Sequence, residues 1–407
     1  MDESVLKKYA HLIAKCGLNV QQGQEVWITA ALDQPEFVRM TVEECYRLGA
    51  SEVRVDWIDQ KLEKLHVNYQ SLETLGAYKK WQEEKLRYQA ERIPCRLYIE
   101  SEDPDGLVGM DQEKYASARQ MRYPVAKKYR DMWENKDQWC IAAVPGVEWA
   151  KKLFPNMSDN QAVEKLWQAI LSVSRVDDDP VKAWQEHNRE IHSRCDYLNN
   201  LKIRKLHYTS GNGTDFTVGM IPLGRFSGAS EKSLQGIEFN PNIPSEECFT
   251  TPMKGEAEGI VYATKPLSWQ GQLIENFRIR FERGKAVEWD ASVSKDLLDR
   301  MITMDEGASY LGECALVPYD SPIRNSNLLF FNTLFDENAA CHLALGTGFA
   351  DCIEGYENMT LEQCRKLGVN DSMIHVDFMI GSEDMNIDAV CEDGRTVKIF
   401  RNGNWAF

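Results

Sequence analysis

Long apolar runs are missing from this chain of 407 residues; none approaches the roughly 18 consecutive apolar residues that a membrane-spanning helix needs. Basic residues are also in the minority. Lys and Arg number 47 against 63 Asp and Glu, a formal net charge of −16. Such a surface repels phosphate backbones and anionic lipid, so neither nucleic acid nor a membrane is an expected partner. The 11 cysteines are odd in number and contain no C-x-x-C pair. That argues against a disulfide framework and against a thiolate zinc knuckle. The H-E-x-x-H, P-loop, G-x-S-x-G and G-x-G-x-x-G patterns are absent, and Gly346-Thr347-Gly348 is too short a match to suggest a nucleotide. The acidic start Met1-Asp2-Glu3-Ser4 has no basic stretch, apolar block and cleavage site of a signal peptide. A cytoplasmic protein is expected.

The length suits two domains of roughly 200 residues each. The first half alternates strand and helix patterns. Glu25–Ala30 and Glu52–Trp57 are β-rich runs on either side of a helical pattern at 34–48. This is a βαβ unit, and it predicts a parallel sheet. Arg96–Glu100 and Trp139–Pro145 read as further strands. Helical patterns at 3–16, 74–92, 111–134 and 159–173 surround them. Near residue 200 the character changes to short strands and turns. Hairpins are predicted around Gly211-Asn212-Gly213, Gly284 and Asp393-Gly394. The expected fold is an α/β N-terminal domain with a parallel-type sheet over 1–200. An α+β C-terminal domain with mostly antiparallel strands follows over 201–407 and carries the chemistry.

Histidine is scarce, with only seven in the chain. His375 and Asp377 lie two apart in the apolar run Met373–Ile380, so on a strand they share one face. Buried without partners, each would cost several kcal/mol. A metal is one solution, and a hydrogen-bonded core His–Asp pair is another. Glu337 and His342 are five apart and converge only if the backbone between them is irregular. A helix N-terminus capped by Asp336 or Asn338 would explain the acids there, but not the histidine. Glu313 stands inside the apolar run Leu311–Val317, and Glu is seldom buried without a partner. Glu247 alone would pass for a solvated loop acid. Together these residues offer oxygen ligands and two imidazoles, a set that suits Zn²⁺, Co²⁺ or Mn²⁺ better than Ca²⁺. Six ligands exceed one tetrahedral zinc and fit a pair of ions. Cys248, Cys314 and Cys341 adjoin these candidates, but on extended backbone they face the opposite way, into the core.

Four segments, in this order, resemble the thermophilic metallo-aminopeptidase family, the group of aminopeptidases T, S and II. They are Asn242-Ile243-Pro244 with Glu247–Pro252, Gly312–Pro318, Glu337–Gly346 and His375–Gly381. The resemblance is strongest over 240–382 and extends more weakly to the whole chain. It implies a two-metal centre held by Glu247, Glu313, Glu337, His342, His375 and Asp377. It also implies release of N-terminal residues from peptides with a free N-terminus, and a homodimer. No residue is assigned to proton transfer. There is one departure: similar proteins often carry a tyrosine seven residues after the histidine matching His342, and here that position is Phe349. A two-metal hydrolase of another amide or ester, and a metal-binding protein that has lost catalysis, are the alternative readings.

Overall fold

The structure, a computed structural model, describes residues 1–407. The chain forms two compact units: Met1–Glu186 with Ser230–Pro244, and His187–Ala229 with Ser245–Phe407. It passes from the first to the second inside the helix Pro180–Asn200 and later returns to the first for Ser230–Pro244.

In the first unit, Asp2 caps helix α1 (Glu3–Leu12) by accepting from Ser4 N. The helix continues as a π turn over Ile13–Gly17. Then come β1 (Glu25–Ala31), α2 (Pro35–Arg47) and β2 (Glu52–Ile58). The predicted helix over 74–92 is two helices. Between β2 and β3 (Cys95–Glu100) lie α3 (Gln60–Tyr69), α4 (Leu72–Gly76) and α5 (Lys80–Arg92). A Cβ on Gly76 would lie 2.5 Å from Met121 Sδ of helix α6 (Gln112–Trp133), so glycine there lets α4 and α6 approach closely. Strand β4 is Trp139–Ala143. The sheet is wholly parallel, in the order β2, β1, β3, β4 and then Asn242–Ile243. Tyr9, Phe37 and Trp167 pack together in its helical layer, with ring centroids 5.2 to 6.5 Å apart.

The second unit is built on two antiparallel sheets. The larger has eight strands and contains the hairpins expected around Gly213, Gly284 and Gly394. The smaller runs in the order Cys248–Thr250, Leu311–Leu316, His342–Gly346, His375–Met379. One core joins them. It takes Leu206, Tyr208, Phe216 and Ile387 from the larger sheet and Cys314, Leu343, Val376 and Phe378 from the smaller. Cys248 and Cys341 belong to it as well, and all eleven cysteines are free thiols.

Alternation therefore divides the strand His375–Met379 by function. Phe378 lies in the core, 5.8 Å from Phe277 between ring centroids. Phe378→Ala is expected to cost about 3–5 kcal/mol of stability, seen as a lower denaturant midpoint. The folded fraction should keep its metal content, whereas Asp377→Ala should do the reverse.

Candidate metal centre

The small sheet assembles its polar face by register. Glu313 pairs with Ala344, and Ala344 pairs with Asp377 on its other side. Residues directly opposite share a face, and so do residues two apart on one strand. His342 and His375 therefore stand on the face of Glu313 and Asp377. Glu247 precedes the strand whose Phe249 pairs with Ala315, which puts it on the same side. Ala344 is the small residue in the middle. Strands are spaced by about 4.8 Å, and a methyl group there lets the acids on either side lean toward each other.

The side chains converge in two groups that share one member. Glu247, Glu313 and His342 form the first, and Glu313, His375 and Asp377 form the second. His342 Nε2 lies 3.1 Å from Glu247 Oε2 and 3.9 Å from Glu313 Oε1. His375 Nε2 lies 3.0 Å from Glu313 Oε2 and 3.2 Å from Asp377 Oδ1. Glu313 thus turns one oxygen to each histidine. Glu337 belongs to neither group. It follows a short helix, on a 3-10 turn, and the backbone extends at Ala340 before the strand of His342 begins. The backbone between Glu337 and His342 is irregular, as their convergence would require. Its carboxyl is buried beside the others, with Asn338 Nδ2 donating to Oε1 at 3.3 Å.

Both rings are held by the backbone. His342 Nδ1–H donates to Ala340 O at 3.1 Å, and His375 Nδ1–H donates to Thr347 O at 2.8 Å. A carbonyl only accepts, so the proton of a neutral ring is on Nδ1 and the Nε2 lone pair faces carboxylates. Burial alone would lower the His342 pKa, but Glu247, then Glu313 and Asp377, push it up to about 9. His375 is likewise raised, against burial, by Asp377 and Glu313. Burial raises Glu313 to about 7, with Asp377 and Glu247 adding to it. Burial and then Asp377, Glu247 and Glu313 hold Glu337 well above the usual range. For Asp377 burial is outweighed by His375, and its pKa is lowered.

Several positioning residues carry no sequence signal of their own. Thr251 is fully buried; its hydroxyl donates to Gly312 O at 3.1 Å and accepts from Phe349 N at 2.6 Å. Asn338 accepts from Glu246 N at 2.6 Å, tying the Glu337 turn to the Glu247 segment. Gly346 has φ 110°, and a Cβ there would lie 2.0 Å from Ile374 O. It bends the chain so that Thr347 O reaches His375. Phe349 packs tilted against the His375 ring at 4.8 Å between centroids and meets Phe249 edge-on at 5.4 Å. His375 is the open edge of the site, 23% exposed against 1% for His342.

The chain matches the family described as thermophilic metalloprotease (M29) over residues 2–405. It belongs to that family. It is 42% identical over 404 residues to aminopeptidase AmpS of Bacillus subtilis (strain 168), covering 99% of this chain and 98% of that one. It is 40% identical over 407 residues to aminopeptidase 2 of Geobacillus stearothermophilus, covering 100% and 98%. The solved structure of wild-type AmpT from Thermus thermophilus matches with a TM-score of 0.88 at 38% identity, over 100% of both chains.

A metal is therefore implied, and the residues of this M29 metalloprotease fit one. Glu247, Glu313, Glu337 and Asp377 are four buried carboxylates. With neutral imidazoles they leave four negative charges, which two divalent cations would balance. At about 4 Å and an effective dielectric near 20, one like-charged pair such as Glu247 and Glu313 costs on the order of 4 kcal/mol. Asp377 Oδ1 is buried and receives no well-angled hydrogen bond from the protein. Imidazoles anchored through Nδ1 with Nε2 turned inward have the form of metal ligands.

Without metal, protons must do the balancing, and this sets a pH dependence. His342 is raised from 6.5 to about 9, so its contribution is complete below pH 6.5 and lost as pH rises through 9. Glu313, raised from 4.5 to about 7, acts in the same direction, complete below 4.5 and lost through 7. Asp377 opposes them only at acid pH, below its usual 3.8. The chelated protein is expected to lose thermal stability between pH 6.5 and 9. Added Zn²⁺ should restore more at the upper end of that range. Unfolding temperatures with and without metal across it check this. Separately, Ala344→Leu would fill the space between Glu313 and Asp377, and metal analysis should show loss of bound ions from a chain that still folds.

Proposed function

We propose that this metalloprotease is an aminopeptidase that releases N-terminal residues from peptides, using two divalent ions held by Glu247, Glu313, Glu337, His342, His375 and Asp377. The observation that carries the two-ion reading is Glu313, whose two oxygens face two different histidines and so belong to two ligand groups at once. Bound there, the ions would supply an activated water and a Lewis acid for the scissile carbonyl. The chain's own residues set the stage for that chemistry. Thr347 O and Ala340 O fix the imidazoles with Nε2 inward. Glu313 and His342 are buried away from bulk water, while His375 leaves an open side. Phe349 gives that side a packed wall. It has no hydroxyl, so it neither ligates nor hydrogen-bonds to substrate. We place this catalytic centre in the C-terminal half, with Zn²⁺ or Co²⁺ as the ions (Mn²⁺ also fits the donor set), in a cytoplasmic homodimer. No helix is long and apolar enough to cross a membrane.

Metal analysis of the purified protein should find about two ions per chain. Leucine p-nitroanilide should be hydrolysed, chelation should stop it, and Zn²⁺, Co²⁺ or Mn²⁺ should restore it. N-acetyl-leucine p-nitroanilide should be refused, because an exopeptidase of this kind needs the free amine. Glu313→Ala is expected to lose both ions and more than about 100-fold in kcat/KM, beyond the 10–100-fold typical of outer-shell changes. A Glu313→Ala protein with full activity would remove the site assignment. Bound metal without turnover on any free-amine substrate would leave the site and remove the activity.

A further inference from the structure

The parallel sheet of the first unit reverses its winding between β1 and β3. The chain leaves β1 toward β2 on one side and leaves β3 toward β4 on the other. In open sheets of this type, ligands bind in the crevice outside the carboxyl ends of the strands where the order reverses. Asp33 follows β1, and Ser101 and Glu102 follow β3; Ser101 Oγ donates to Asp33 Oδ2 at 2.9 Å. A hollow of about 230 Å³ lies against these ends. It shares Ile58, Asp59, Gln60 and Glu102 with a cavity of about 770 Å³ that runs between α3 and α6. That volume is in the range of small-molecule sites, ~300–1,000 Å³.

Charges of both signs converge on the larger cavity. Arg119 and Arg122 reach it from one face of α6, with Lys79 beside them at the start of α5. Neither arginine has a carboxylate partner. Arg122 donates to the carbonyls of Leu75 and Ala77 at 3.4 and 3.3 Å and lies over the Tyr78 ring at 4.0 Å. Arg119 lies 5.9 Å from the centre of the Tyr115 ring. On an acidic chain, two unpaired guanidiniums lining a cavity suit an anionic group. The acids are crowded in the opposite sense. Burial, and then Asp33 and Glu63, hold Glu102 above the usual carboxylate range. Glu63 has only the Tyr115 hydroxyl, at 3.0 Å. A cation would relieve both. Leu62, Val67 and Leu107 supply apolar wall between. A polyanion is disfavoured by the acids and a polycation by the arginines.

We propose that this cavity binds a short peptide or amino acid as its zwitterion, with the carboxylate on Arg119 and Arg122 and the ammonium on Glu63 and Glu102. The inference stands on the cavity and its charges, not on the reading of the metal centre.

Calorimetric titration of the full-length metal-loaded protein tests it, with leucyl-leucine as probe and the metal centre blocked by saturating leucine hydroxamate. One dipeptide should bind per chain. N-acetyl-leucyl-leucine and leucyl-leucine amide should each bind at least about tenfold more weakly. Arg119→Ala/Arg122→Ala should weaken the free dipeptide similarly, and the double Lys variant should recover part of the loss. Absence of binding with the metal centre blocked would overturn the proposal, and so would equal affinity for the free and blocked dipeptides. The blocked-peptide arm uses wild-type protein, so it decides the matter even if a variant fails to fold. A chain with no peptidase activity would give the same titration, which keeps this outcome separate from that of the metal centre.

Discussion

Four buried carboxylates that repel one another cannot all be charged unless something positive lies among them. That constraint governs the second unit. Glu313 is its pivot, because its two oxygens are committed to two different imidazoles. Remove the positive charge and the rest must answer: protons move onto the histidines, and Glu313 and Glu337 hold theirs to higher pH. The unusual titration of these groups is the same fact as their fitness for cations.

The scaffold meets this demand by separating the two faces of one small sheet. Val376 and Phe378 look into a continuous core, while His375 and Asp377 look away from it. Backbone groups do most of the aiming. The carbonyls of Ala340 and Thr347 orient the rings, and Thr251 joins the strand of Glu313 to the loop that carries Thr347 and Phe349. Side chains fixed by strands and carbonyls in this way would have little freedom to lose on meeting a cation.

Much of this was legible in the chain. Polar residues interrupting apolar runs marked Glu313 and the His375–Asp377 pair, and period-two alternation put the cysteines in the core. The parallel layer followed from strand–helix spacing. Other features had no local signal. Thr251 and Asn338 are ordinary polar residues whose burial depends on distant partners. Ala344 matters only through the strands on either side of it. The close approach of Gly76 to Met121, forty-five residues on, is something no periodicity within 74–92 can reveal. The excursion of Ser230–Pro244 into the first unit is likewise a tertiary event. The family resemblance supplied Glu247, which by itself reads as a loop acid.

The register of the small sheet has a further consequence. Because side chains alternate, a slip of one residue in the strand His375–Met379 would turn Val376 and Phe378 outward and bury His375 and Asp377 in the apolar core. A slip of two would keep the faces but move Asp377 out of line with Ala344 and Glu313. Only one alignment both closes the core and gathers the charges. The charged face of the site is thus a check on the pairing of the sheet that carries it.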